Sequence, residues 1–375
     1  MSEKIHHVVF HNDVDGIVSA AIFLHNVVKD DKYRLYPVMS VARGTKFDKL
    51  VKSMPLDSPD ETLTILDFEN HPRSDFWCDH HWNKLIGKDP VHNDKICYDP
   101  LASSAAQLLK DRYGMQDTPD DLIATNNIID KALYEDLETI FEDTHPLMLI
   151  RAYLECYYPA NMTYCRIAEV LANSNLDCVE ANKRLGIDDS CILELREKAK
   201  KVSRYMEVYN NISVIRQLRP NQYPRYVEFR IRPDIKYSIR LTSISGDKLY
   251  LQIGYNKWHK EANNIHIGQL LHGFKYMIRG GGHYGAGGGI MNQRDAEKFL
   301  DDISIKLNPK LETKSVEEEM EKLGVDQQND PVEKEAQDMV KSGEAENIDK
   351  AREKVVPDET AKPEEVSEVS ENAGL

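Results

Sequence analysis

Three short apolar runs near the start of this chain each lead into side chains that bind metals. Ile5 to Phe10 runs into His11, Asp13 and Asp15 of HNDVDGIVSA. Thr62 to Asn70 (TLTILDFEN) carries Asp67, and Asp75 to Asn83 (DFWCDHHWN) carries Asp79, His80 and His81. RLYPVMSV, Arg34 to Val41, reads as a further strand, and the segments between read as helices, the first being IVSAAIFLHNVV. Strands alternating with helices predict a parallel sheet covered by helices. In such a sheet the strand ends share one edge, so these carboxylates and imidazoles meet where open α/β sheets place their sites.

Within the first run, His11, Asp13 and Asp15 alternate. Residues i, i+2 and i+4 of an extended chain share a face, which predicts three converging side chains. Gly16 is expected to turn the chain and to let backbone approach a ligand. The plainer alternative makes Asp13 or Asp15 a helix cap and His11 a satisfied polar residue at a strand end.

From Ala102 the pattern turns helical. SSAAQLLKDRYG offers Ser103 and Ser104 as caps, and DTPDDLIATNNIIDKALYED brings in Asp130. Further helices run to about residue 208, the last long and charged. Beyond Asn210, ISVIRQL, RYVEFRI, KYSIRLT and KLYLQIG read as short strands. A helix from Ile265 to Phe274, a glycine-rich loop (RGGGHYGAGGG) and a closing helix to about Leu307 follow. The fold expected is α/β: a parallel-sheet domain with a helical extension over 1–208, then a smaller α+β domain over 209–307 across a cleft.

Charge separates a third region. Of the net −15 of the 375 residues, residues 311–375 carry 20 acidic and 8 basic side chains. With so little apolar material, residues 308–375 are expected to be a disordered acidic tail. The body is then near neutral, without the broad basic surface of a protein that grips long nucleic acid. No apolar run approaches membrane-spanning length, and the N-terminus has too short an apolar core for a secretory signal. Six scattered cysteines without a CxxC pair read as reduced thiols in a cytoplasmic protein.

His11, Asp13, Asp15, Asp67, His80 and Asp130, with Asp79 and His81 beside them, make a hard O/N donor set without thiolate. It suits Mn²⁺ or Mg²⁺ better than structural zinc. The donors suffice for two ions sharing a carboxylate, and two divalent ions roughly 3.5–4 Å apart are a standard device for in-line attack on phosphorus.

HNDVDG, the lone Asp67, DHH at 79–81 and IIDKALYED around Asp130 resemble the four motifs of the DHH phosphoesterase superfamily. YSIRLTS (Tyr237 to Ser243), NIHIGQLLHGF and RGGGHYGAGG resemble its associated C-terminal domain, with Gly287 where the loop often has Ala. The resemblance covers residues 5 to about 305. It implies that His11 and Asp13 hold one ion, that Asp15, His80 and Asp130 hold a second, and that Asp67 bridges them. It further implies that Asp79 orients ligands, that His81 polarises the substrate phosphate, and that Arg240 and His283 hold a phosphate or terminal group. Gly280, Gly281 and Gly282 would present N–H groups to an anion. Arg230 or Arg232 in place of Arg240, and a plain tight turn at the glycines, are the alternatives.

The function expected is a two-ion, Mn²⁺-dependent phosphodiesterase acting on short oligonucleotides or nucleotide phosphoesters. A single-strand exonuclease, a phosphatase or polyphosphatase, and a non-catalytic scaffold of the same fold are the alternatives. Trp82, Tyr255, Trp258 and Tyr284 are candidates to stack a base. No membrane partner is expected. A homodimer, and a protein partner for the acidic tail, are left open.

Overall fold

The computed structural model describes residues 4–29, 31–39, 43–81, 89–113, 117–157, 160–209, 211–218, 222–259, 265–282 and 284–307. His283, Trp82 and the acidic region from 308 onward lie outside them.

Strand β1 (Ile5–His11) is the centre of the first sheet. Its Val8, Val9 and Phe10 are fully buried because both faces of the strand are covered. Val8 and Phe10 pack with the helices on one face, and Val9 packs with the residues beneath the other, as the twofold alternation of a strand requires. The remaining strands are β2 (Lys32–Val38), β3 (Glu61–Leu66), β4 (Phe76–Asp79), β5 (Val91–His92) and β6 (Ile96–Tyr98). Their order is β2-β1-β3-β4-β6-β5, parallel except for β5. The chain passes from β1 to one side and returns to the other, so the order reverses between β1 and β3. A site is expected at the carboxyl ends of those two strands.

Helix α1 (Val14–Phe23) is buried along its whole length and runs on into a π-helical turn at Leu24–Val28. Short α2 (Thr45–Lys52) covers the opposite face through Phe47 and Val51. The helical extension contains α3 (Ala105–Tyr113), α4 (Asp120–Asp130), α5 (Leu137–Glu142), α6 (Pro146–Tyr157), α7 (Asn161–Ala172), α8 (Cys178–Leu185) and α9 (Ser190–Val202). All six cysteines are free and buried. Among the described residues no helix is long and apolar enough to cross a membrane.

The second sheet starts earlier than Asn210. It comprises β7 (Met206–Tyr209), β8 (Ile212–Gln217), β9 (Tyr237–Ser245), β10 (Lys248–Tyr255), β11 (Met277–Gly282) and β12 (Ala286–Asn292), in the order β11-β12-β10-β9-β8-β7. Only β8 and β9 pair in parallel. Helices α10 (Val227–Ile231), α11 (Ile267–His272) and α12 (Ala296–Leu307) complete it. Two expectations are corrected here. RYVEFRI, whose residues alternate like a strand, forms α10, because Val227, Glu228 and Phe229 are all buried together. The glycine-rich loop is mostly the β11–β12 hairpin, with Gly280, Gly281 and Gly282 paired to Gly289, Gly288 and Gly287. A Cβ on Gly282 would lie 2.4 Å from the Gly287 Cα, so backbone crowding demands glycine there.

The two sheets are joined by packing and by charge. Ile215 of β8 and Val227 of α10 belong to the core of the first sheet. Arg230 donates to both carboxylate oxygens of Glu138 on α5, at 3.0 and 2.6 Å. Arg279 of β11 donates to the Arg43 carbonyl at 2.7 Å.

Candidate metal centre

The carboxyl ends of β1, β3 and β4 meet the start of α1 and the end of α4. His11 closes β1, but the chain does not stay extended beyond it. Asp13 is the N-cap of α1, its Oδ1 accepting from the Gly16 N–H at 3.0 Å, and Asp15 lies in the first helical turn. The three side chains therefore converge through a strand-to-helix turn, not through alternation along a strand. The cap alternative is realised, since Asp13 caps α1 and neighbours His11 at once. Gly16 serves a different purpose from the one expected: a Cβ there would lie 2.0 Å from the His11 carbonyl oxygen. The glycine lets α1 start directly against the backbone that carries His11.

Asp67 follows β3 in a left-handed conformation, φ +54°. Its N–H donates to the Cys78 carbonyl at 2.8 Å, and the Trp77 indole holds the next residue through the Phe68 carbonyl at 2.7 Å. The side chain is thereby aimed into the centre of the cluster. His11 Nδ1 lies 2.6 Å from Asp13 and 3.6 Å from Asp67. His80 Nε2 lies 3.6 Å from Asp15, 3.6 Å from Asp67 and 3.4 Å from Asp130. Two triads result, His11–Asp13–Asp67 and Asp15–His80–Asp130, each with donor atoms within 4.8 Å of one another. A third, Asp67–His80–His81, joins them, sharing Asp67 with the first and His80 with the second. His80 Nδ1 faces the Ala102 carbonyl at 3.4 Å, which turns Nε2 toward the carboxylates.

Asp79 Oδ1 accepts from the His81 backbone N–H at 3.1 Å and contacts its Nδ1 at 2.8 Å, so Asp79 orients the His81 ring. His81 Nδ1 also lies 3.4 Å from Asp67. Asp15 accepts from the Ala105 and Ala106 N–H groups at the start of α3, at 2.8 and 3.1 Å, and from Asn126 at 2.8 Å. Asn126 was not singled out in the sequence. Its signal is the spacing to Asp130, one helical turn on, which places both on one face of α4.

So much buried negative charge must be neutralised. Burial opposes the charge of His11, yet the Asp13 and Asp67 carboxylates raise its ring to about 10. His80 is raised to about 10 against the same opposition, by Asp67, Asp130 and Asp15. Burial, with the neighbouring carboxylates, pushes Asp130 up to about 7 and Asp15 well above the ordinary range. Burial, then the adjacent His80, hold His81 well below the usual imidazole range.

The residues fit divalent metal. Asp67 is 1% exposed, and neither of its carboxylate oxygens accepts a hydrogen bond among the described residues. A buried carboxylate in that state is costly, and cations on either side of it would satisfy both oxygens. Oxygen and imidazole donors without thiolate match hard or borderline ions.

Cations flank the cluster. The charge of Arg43 acts on Asp79 and His81, and its guanidinium lies 5.0 Å from the Phe68 ring centroid. The charge of Arg225 acts on Asp13. Neither arginine was identified from the sequence. Arg240, expected to hold a phosphate, is turned inward. It is 6% exposed, gives Nε and Nη2 to Glu228 at 2.6 and 2.8 Å, and donates to the Tyr223 and Pro224 carbonyls at 2.8 and 2.6 Å. Arg232 is occupied by Asp234 and Arg230 by Glu138.

Comparison with solved structures gives the class of fold. PggH of Vibrio cholerae, described as a pGpG-specific phosphodiesterase, matches with a TM-score of 0.53 and 17% identity over 82% of this chain and 99% of that one. RecJ of Thermus thermophilus in complex with Mn²⁺ matches at 0.49 and 17% identity, over 83% of this chain and 53% of that one. The DHH domain of a protein described as belonging to a family of ribosomal proteins matches at 0.47 and 14% identity, over 83% and 88%. No protein-family model matches the sequence, and no curated protein matches it. The chain has the fold of PggH, a fold in keeping with the superfamily that its motifs resemble.

Proposed function

We propose that this protein is a divalent-metal phosphodiesterase that cleaves short oligonucleotides or nucleotide phosphoesters. The observation that carries the reading is Asp67, a buried carboxylate that accepts no hydrogen bond among the described residues and lies where two His/Asp triads meet, at the switch point of a parallel sheet. His11, Asp13 and Asp67 would hold one ion; Asp67, Asp15, His80 and Asp130 would hold the other, with Mn²⁺ preferred for its tolerance of mixed O/N donors. Bound there, two ions supply the charge that activates water and neutralises phosphoryl oxygens.

The chain's own residues do the rest. Asp79 fixes His81 beside Asp67, where the ring would meet a phosphoryl oxygen of the substrate. Arg43 adds positive charge on the same side, suited to the negative charge that builds on phosphorus during displacement. The similarity to a protein described as a pGpG-specific phosphodiesterase supports small nucleotide substrates over long strands.

The test is a turnover panel in Mn²⁺ resolved by chromatography: a ribodinucleotide, a 3′,5′-bisphosphonucleoside, a cyclic dinucleotide, a long single strand and polyphosphate. Cleavage of the dinucleotide or cyclic dinucleotide, abolished by chelator, is expected. Turnover of polyphosphate alone would overturn the nucleotide reading.

A further inference from the structure

Two cysteines stand opposite one another on the strands directly behind the His/Asp cluster. Cys78 of β4 pairs with Cys97 of β6 in the parallel register of the first sheet. Residues opposite one another on neighbouring strands stand on the same face, and both thiols belong to the core beneath the helices. There each donates to a carbonyl of α3, Cys78 Sγ to Ala105 at 3.6 Å and Cys97 Sγ to Leu108 at 3.7 Å. Residues three apart on a helix are neighbours on its surface, so α3 also holds the two sulfurs side by side. Neighbouring strands lie about 4.8 Å apart, within the roughly 4.4–6.8 Å between Cα atoms that a disulfide spans.

Cys97 is the more reactive partner. Its Sγ lies 3.7 Å from Nδ1 of His92. His92 is exposed and belongs to β5, the two-residue outermost strand. Cys97 itself is 1% exposed, so a small solute must pass that edge to reach it. Short edge strands open locally at low cost. Cys78, and then His92, lower the Cys97 thiol against the effect of burial. Burial raises the other five thiols. The thiolate is the nucleophile, which singles out Cys97 as the first to react.

The pair is tied to the cluster through backbone. The Cys78 carbonyl accepts the Asp67 N–H at 2.8 Å, and Asp79 is the next residue. Ala105, whose carbonyl receives the Cys78 S–H, gives its own N–H to Asp15 at 2.8 Å. Joining the sulfurs removes both S–H bonds to α3 and pulls β4 toward β6. The change reaches Asp67 through the Cys78 carbonyl and Asp15 through the start of α3.

We propose that Cys78 and Cys97 are a dithiol switch: a hydroperoxide converts them to a disulfide, and the disulfide weakens metal binding at the His/Asp cluster. The Cys97 sulfur attacks the peroxide, forming an S–O bond as the O–O bond breaks, and the departing hydroxide takes up a proton to become water. The Cys78 sulfur then attacks the Cys97 sulfenic acid; the S–S bond forms, the S–O bond breaks, and the hydroxyl leaves as water with the Cys78 proton. Two thiols and one peroxide thus give one disulfide and two waters. The inference rests on the divalent-metal reading of the cluster and adds its regulation.

The experiment treats the metal-free, full-length protein with hydrogen peroxide, removes the peroxide with catalase, and follows peptide masses and Mn²⁺ affinity. A Cys78–Cys97 linked peptide is expected, with the other four cysteines still thiols. The Mn²⁺ Kd should rise about tenfold, the size of effect that disturbing the groups behind metal ligands has, and dithiothreitol should restore it. Cys97→Ser should bind Mn²⁺ like the reduced wild type and show no reversible loss after peroxide; Cys78→Ala serves the same purpose if the serine variant fails to fold. Oxidation of Cys97 without a bond to Cys78, or a disulfide that leaves the Kd unchanged, would overturn the switch. If the reduced protein binds Mn²⁺ and shows the shift but hydrolyses no diester, the phosphodiesterase reading falls and the switch stands. If the reduced protein binds no Mn²⁺, both fall.

Discussion

Arg240 and Glu228 form a buried, two-pronged ion pair, Nε to Oε1 at 2.6 Å and Nη2 to Oε2 at 2.8 Å, with side-chain exposures of 8% and 1%. Two of the remaining guanidinium N–H bonds go to backbone carbonyls, so the arginine ties β9 to α10 and to the turn before it. Removing one partner leaves the other buried and unpaired, which costs about 3–5 kcal/mol. Arg240→Ala is expected to lower the unfolding free energy read from urea melts by that amount, whereas the double variant Arg240→Met, Glu228→Leu should recover much of the loss. A single variant with wild-type stability would show that the pair contributes little.

Asp67→Asn separates metal binding from folding. Asparagine tolerates the left-handed backbone at this position, and the change removes a buried charge that accepts no hydrogen bond among the described residues. Saturating Mn²⁺ should raise the wild-type melting temperature, with about 2.7 kcal/mol of stabilisation at one hundred times Kd. It should leave the variant nearly unmoved. Equal metal-induced shifts would remove Asp67 from the ligand set.

Gly16→Ala tests the strand-to-helix junction. The new methyl would sit 2.0 Å from the His11 carbonyl oxygen and 2.7 Å from its carbon, and both are backbone atoms. The start of α1 must move away from β1, at a cost of about 2 kcal/mol or more. Because His11, Asp13 and Asp15 ride on that junction, Mn²⁺ affinity should fall with stability. Intact affinity in a destabilised variant would mean the ligands are positioned from elsewhere.

Acid sensitivity is expected to come partly from His7, away from the metal centre. The ring is fully buried, contacts the Tyr36 hydroxyl at 3.0 Å and lies 3.4 Å from Glu61. Burial holds it below its ordinary 6.5 although Glu61 pulls the other way. A depressed histidine means that the unfolded chain takes up the proton first. The contribution is complete above pH 6.5 and is lost as pH falls through the folded value. His7→Gln should therefore lose less stability than the wild type between pH 7.5 and pH 5, read from urea midpoints at each pH. The same loss in both would place the acid sensitivity at other groups.

The half of the fold that carries the His/Asp cluster was legible because its signals are local. Each strand that leads into the cluster is a short β-branched or aromatic run, and the candidate ligands follow it directly. What the sequence misplaced depends on contacts between distant segments. Asp13 and Asp15 alternate on paper, but the helix begins at Val14, so a cap and a helical turn do what alternation was expected to do. RYVEFRI alternates like a strand and becomes α10 because Glu228 is needed inside by Arg240. Arg240 was legible as a residue of note but not as a buried one, since its partners lie 12 to 17 residues upstream. Arg225 and Arg43 carry no motif, and only the folded chain brings their charge to bear on the cluster.

The most direct measurement is the number of Mn²⁺ ions bound per chain at equilibrium, taken alongside hydrolysis of a ribodinucleotide in the same samples. The predicted result is two ions per wild-type chain, with hydrolysis that follows their occupancy and disappears in Asp67→Asn together with the bound metal. Hydrolysis that persists in excess chelator, or wild-type protein that binds no ion, would contradict a metal-dependent phosphodiesterase built on the His11–Asp13–Asp67 and Asp15–His80–Asp130 triads.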